Sequence, residues 1–325
     1  MHELYEVDNG AGWRISLKRI PPNEDAVARA RNEGKKLRPA LIIPGYGMNS
    51  FIFGFHPRGL SLEGYLASRG IEVWSADLRG QGRAVCTWGT DRYELADLSD
   101  DVSIATRHVL AHTKTGAKEI DLLGCSLGAA LMFGAIAQAP ETPARCLVSV
   151  GGLVTWVKVH PALRAAFYSS RLIGAIRLRH TRELAGLALP TLARYAPRIL
   201  SVYLNASSTD TSQASTMVQT VEDPNPHVNR NIARWIAERD LIMRGTNVSR
   251  ALATMRHPFM CIVANEDGIV PPETARSPYD AIGSEDKEFL AVGDASFPMA
   301  HADLFLSTGC QDKVFEKLAR FLLAH

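Results

Sequence analysis

The 325-residue sequence predicts an α/β architecture: a mostly parallel sheet with helices on both faces and a helical segment inserted into it. Three observations carry this expectation. Residues 40 to 150 alternate short apolar runs with helical patterns, the rhythm of buried parallel strands joined by crossover helices. Residues 155 to 250 break that rhythm with helical patterns and with prolines at Pro161, Pro190 and Pro197. Beyond residue 250 the alternation resumes. The expected organisation is therefore a sheet-bearing core, 1–154 and 251–325, with a helical cap at 155–250.

Taken in order, residues 3 to 20 alternate in polarity around Asn9-Gly10-Ala11-Gly12 and fit a hairpin. Residues 21 to 38 are charged and read as a surface loop or short helix. Ala40-Leu41-Ile42-Ile43 is a short buried strand ending at Pro44-Gly45-Tyr46-Gly47-Met48-Asn49. Residues 58 to 69 read as a helix that Gly70 ends, followed by a strand over 71–76. Apolar positions Val102, Ala105, Val109 and Leu110 mark a helix within 97–113. Strands are expected at 119–125, 146–150, 259–264 and 288–292, a short helix at 272–281, and an amphipathic helix at 313–323 closes the chain.

The composition is that of a globular protein, 46% hydrophobic and 22% charged. A formal net charge of +2 gives no reason to expect a nucleic-acid partner. No run of eighteen apolar residues occurs, and the N-terminus lacks the basic-then-apolar pattern of a secretory leader. A cytoplasmic location is the expectation. The five cysteines (Cys86, Cys125, Cys146, Cys261, Cys310) are scattered without C-x-x-C or metal-ligand spacing, so neither a metal nor another cofactor is implied.

Chemistry concentrates at Gly124-Cys125-Ser126-Leu127-Gly128. An apolar strand stops there and an Ala-rich helix begins at once, which places Ser126 at the tip of a sharp turn with its hydroxyl projecting from the backbone. A serine hydroxyl attacks only when a base takes its proton and a third group orients that base. Loops at the carboxyl ends of the later strands offer both: Asp267 after the strand ending at Ala264, and His301 after the last strand. Rivals are Glu266 and Asp294 for the acid and His56 for the base. Cys125 adjoins Ser126, but a one-residue shift would place Leu123 and Leu127 where the turn needs small residues.

The order Ser126, Asp267, His301 with these strand placements resembles the α/β-hydrolase superfamily. Pro44-Gly45-Tyr46-Gly47, Glu72-Val73-Trp74 and Asp77-Leu78-Arg79-Gly80-Gln81-Gly82 resemble its lipase and polyhydroxyalkanoate-synthase-like branch. The resemblance implies Ser126 as nucleophile, His301 as base and Asp267 as the orienting carboxylate. It also implies the backbone N–H groups of Tyr46 and Leu127 as an oxyanion hole. The implied reaction is hydrolysis of carboxylic esters through an acyl-enzyme. A thioesterase or acyltransferase on the same triad, and a non-catalytic binding protein on the same fold, stand as alternatives. Met48, Phe51, Phe53 and His56 are expected to line the substrate pocket, with the aromatic residues favouring a medium or long acyl group.

The inserted segment carries a further feature. Between residues 158 and 198 stand eight basic residues (Lys158, Arg164, Arg171, Arg177, Arg179, Arg182, Arg194, Arg198) and one acid, Glu183. Two readings follow. The arginine stems lie along apolar cap surface, or a basic amphipathic cap meets an anionic partner: a membrane surface, a coenzyme-A thioester or a fatty-acid carboxylate.

Overall fold

The structure, a computed structural model, describes residues 2–34, 36–175 and 178–325. Its strands are β1 (Glu3–Asp8), β2 (Trp13–Ile20), β3 (Arg38–Ile43), β4 (Ile71–Asp77), β5 (Val85–Cys86), β6 (Ile120–Cys125), β7 (Ala144–Val150), β8 (Ile242–Met243), β9 (Thr246–Asn247), β10 (Phe259–Ala264) and β11 (Lys287–Val292). The large sheet runs β1-β2-β4-β3-β6-β7-β10-β11, with β5 added against β2. From β4 to β11 every pairing is parallel, whereas β1 and β2 are antiparallel.

Side-chain alternation divides the core. Leu41 and Ile43 of β3 join a cluster with Trp74, Leu122, Phe133 and Phe259 on one face of the sheet. Ala40 and Ile42 join Val73, Leu123, Val148 and Phe315 on the other. A strand buried on both faces has no polar side, which is why residues 40–43 of β3, residues 122–125 of β6 and all of β10 read as apolar runs.

Differences from the sequence expectations have local causes. The helix expected from residue 58 begins at Leu62, because Ser61 caps it by accepting the Gly64 N–H. The charged segment after the hairpin, expected as a loop or short helix, holds the helix Glu24–Asn32 and so agrees with expectation. The span 272–281 holds two short helices, Pro272–Ala275 and Ser277–Ala281. The closing helix, Glu316–Ala324, is preceded by a wide turn at Gln311–Phe315. The two-residue strand β5 is exposed and has no apolar pattern to announce it.

Residues 155–250 add no strand to the large sheet. Helix Pro226–Glu238 nevertheless packs into the core through Val228, Ile232, Trp235 and Ile236. The helices Pro161–Ala166, Ser170–Ile173 and Thr181–Tyr195, by contrast, bury no side chain completely. No helix among the described residues is long and apolar enough to cross a membrane.

Candidate active site

The turn after β6 is built around close approach. A Cβ on Gly124 would lie 2.3 Å from Ala129 Cα, and one on Gly128 would lie 2.2 Å from the Ile43 carbonyl oxygen. Only glycines let β6 and helix Leu127–Gln138 meet this tightly. Ser126, between them, is forced to φ 55°, ψ −125°, a conformation that L side chains rarely adopt. Its N–H donates to the Val150 carbonyl at 2.9 Å, which anchors the turn to the end of β7. Leu127 opens the helix, so its N–H has no carbonyl of that helix to bond.

The neighbouring loop after β3 presses against this turn. A Cβ on Gly45 would fall 2.8 Å from Ser126 Cβ, and Tyr46 follows directly. Gln81 Nε2 donates to the Gly45 carbonyl at 3.1 Å, and the Tyr46 hydroxyl donates to Asn229 Oδ1. The turn Arg79-Gly80-Gln81-Gly82 thus braces the loop, while Arg79 itself forms a buried pair with Asp101 at 2.6 Å.

Asp267 and His301 meet at the ends of β10 and β11. His301 Nδ1 lies 2.5 Å from Asp267 Oδ2, and both side chains are buried. Asp267 Oδ1 accepts the Ile269 and Val270 N–H groups at 2.9 and 2.8 Å. With its proton on Nδ1 facing the carboxylate, the imidazole keeps Nε2 as an acceptor. The two loops are laced together: Met299 N–H donates to Asn265 Oδ1 and Glu266 N–H donates to the Met299 carbonyl, both at 2.9 Å.

Ser126 and His301 share one cavity of about 260 Å³. Tyr46, Met48, Ile52, Tyr203, Thr220, Val221, Ile269 and Phe305 also line it. Cys125 reaches its wall, but burial pushes that thiol far up, away from the thiolate form that attacks. Glu266 and Asp294 make no contact with His301; Asp294 instead closes its own turn onto Ser296 and Phe297.

Three expected pocket residues lie elsewhere. Phe53 is fully buried and packs edge-on against Phe305, with ring centroids 5.6 Å apart. Phe51 stacks on Phe55 and faces a separate polar cleft with Lys18 and Glu63. His56 bonds the Ser307 carbonyl through Nε2 at 3.1 Å and accepts the Arg58 N–H on Nδ1. Phe51 and Phe53 share a cause. Residues Phe51–Gly54 form a helical turn, so successive side chains point in different directions and Ile52 alone among them reaches the cavity.

The inserted segment supplies a strap that pattern reading misses. The Val202 carbonyl accepts the Gly268 N–H from the Asp267 loop at 3.1 Å, and the Tyr203 carbonyl accepts the Ala302 N–H from the His301 loop at 2.8 Å. Asp303 then gathers the Asn205 N–H at 2.9 Å, the Thr209 hydroxyl at 2.6 Å and the Ala300 N–H at 2.7 Å. Burial raises the Asp303 carboxyl to about 6 despite these donors. The polar run from Asn205 was the one available signal for this strap.

Tyr203 also lies at the junction of two cavities. With Thr220 and Val221 it lines both the Ser126 cavity and an adjoining chamber of about 280 Å³. That chamber is lined mainly by apolar groups from helix Thr181–Tyr195 (Ala185, Leu189, Leu192), with Leu200, Met217 and Leu306.

Residues 60–293 match the family model Hydrolase_4, described as serine aminopeptidase, S33. The chain belongs to this family. Among solved structures, this S33-family chain is similar to an esterase from Exiguobacterium antarcticum (14% identity over 100% of both chains, TM-score 0.62). It is also similar to a lipase-esterase related protein from Clostridium acetobutylicum (17% identity, 94% of this chain and 99% of that one, TM-score 0.60). A third likeness is to an N-acyl homoserine lactonase complexed with N-hexanoyl homoserine (17% identity, 99% and 96% coverage, TM-score 0.61). At these identities the likeness shows the α/β-hydrolase fold. None of these three is a polyhydroxyalkanoate synthase. No curated protein matches the chain.

Proposed function

We propose that this S33-family chain is a serine hydrolase that cleaves carboxylic esters carrying an apolar acyl group. The observation that carries the reading is a single cavity shared by Ser126 on its strained turn and His301 on its Asp267 partner. In this reading Ser126 Oγ attacks the ester carbonyl and His301 Nε2 takes its proton. Asp267 stabilises the imidazolium, and the Tyr46 and Leu127 N–H groups hold the developing oxyanion, each worth about 3 kcal/mol of barrier. Collapse expels the alcohol with the proton from His301, leaving Ser126 acylated. His301 then activates water, which releases the acid and restores the serine.

The apolar chamber beside Tyr203 supports a medium or long acyl group over acetate: a tail there is removed from water, at about 0.8 kcal/mol per methylene. A panel of p-nitrophenyl acetate, butyrate, hexanoate, octanoate and laurate tests the preference. The expected kcat/KM rises from acetate to a maximum at an intermediate chain. A maximum at acetate contradicts it.

A further inference from the structure

Helix Thr181–Tyr195 carries an apolar face turned inward and a second apolar stripe on its exposed flank. Ala185, Leu189 and Leu192 turn inward and line the chamber. On the exposed flank beside them Leu184, Leu187 and Tyr195, at helical spacing, are 61%, 77% and 72% exposed, and Ile199 beyond the helix is 66% exposed. Most of the large apolar side chains exposed among the described residues fall between Val157 and Tyr203. Isolated exposed apolar residues are ordinary, but a concentrated face marks an interaction. One apolar stripe is enough to hold a helix on its own protein. The second stripe has no use within this chain.

Charge identifies what covers it. Arg182 is paired with Glu222 at 2.9 Å and Lys158 with Glu273 at 3.0 Å. Arg179, Arg194 and Arg198 have no carboxylate partner among the described residues, and Arg194 lies over the Tyr195 ring at 5.2 Å, beside the stripe. Arg177 lies outside the described residues. A soluble anion would account for the arginines and leave the leucines in water. A second copy on a two-fold axis would cover the leucines but bring arginine against arginine.

We propose that this face docks on the surface of an anionic lipid bilayer. The stripe enters the boundary between headgroups and acyl chains, and the arginines meet the phosphates. This goes beyond the proposed reaction and does not depend on it. The docked helix would be the one whose inner face lines the apolar chamber.

Vesicle co-sedimentation of the full chain tests the proposal, with phosphatidylcholine containing phosphatidylglycerol against phosphatidylcholine alone. Binding is expected to the anionic vesicles and to weaken at high salt. Charge reversal at Arg179→Glu, Arg194→Glu and Arg198→Glu should lower partitioning at least about five-fold per site. Leu184→Ser with Leu187→Ser should lower it independently. Both variants change exposed side chains and should keep wild-type turnover of p-nitrophenyl butyrate, which reports the fold. Equal binding to both vesicles, binding to neither, or unchanged binding by the variants overturns the proposal. So does dimerisation abolished by the leucine variant without vesicle binding. Partitioning is read without turnover, so an inactive chain can still bind and an active hydrolase can still fail.

Discussion

Ser126 occupies a backbone conformation that costs a non-glycine residue about 1–3 kcal/mol, and the two flanking glycines are what force it. That local conflict made the site legible: a serine between two glycines at a strand–helix junction has few purely structural reasons to exist. Gly128→Ala should destabilise the protein by more than the 1–3 kcal/mol of ordinary overpacking, because the added carbon meets the Ile43 backbone rather than a yielding side chain. Urea unfolding would measure it, and an unchanged midpoint would refute the packing argument. The Asp267 role is equally local. Asp267→Asn can keep one acceptor for Ile269 and Val270 but offers His301 Nδ1 no carboxylate, so kcat should fall about 10⁴-fold while folding persists. Retained kcat would assign the orienting role to another group.

At the scale of elements, β3, β6, β7 and β10 were readable because strands buried on both faces are mostly apolar, with Asp121 and Ser149 as buried polar exceptions. The strap at Val202–Thr209 was not, since hydrogen bonds from backbone to distant loops leave no periodic trace. Its keystone is Asp303, which ties residues 205–209 to the His301 loop. A carboxyl that binds its proton more tightly when folded stabilises the fold fully below its unfolded value of 3.8. That contribution is lost as pH rises through about 6. Asp303→Asn should therefore remove roughly 3 kcal/mol of pH dependence between those values, read as unfolding free energy against pH. The variant should also lower kcat by loosening the base loop. Parallel pH curves for variant and wild type would refute the shift.

Across the whole molecule, the Ser126 cavity is assembled from segments far apart in sequence: the β3 loop, Tyr203, residues 220–221 and the His301 loop with the helix after it. No sequence pattern joins them, which is why Met48 was identified while Tyr203 and Phe305 were not. Leu192→Trp should fill the apolar chamber and reduce kcat/KM for octanoate by about tenfold or more, with butyrate little changed. Equal losses for both esters would place the acyl tail elsewhere. The seating of helix Thr181–Tyr195 was the least legible feature, because a helix with two apolar stripes does not announce which one it buries.

The central claim is that Ser126 is the nucleophile activated by His301. A fluorophosphonate probe followed by peptide mass spectrometry addresses it directly. The account predicts one adduct, on Ser126, formed by wild-type protein and lost in both Ser126→Ala and His301→Ala. An adduct on another residue, or a Ser126→Ala protein that still hydrolyses p-nitrophenyl esters at the wild-type rate, would contradict it.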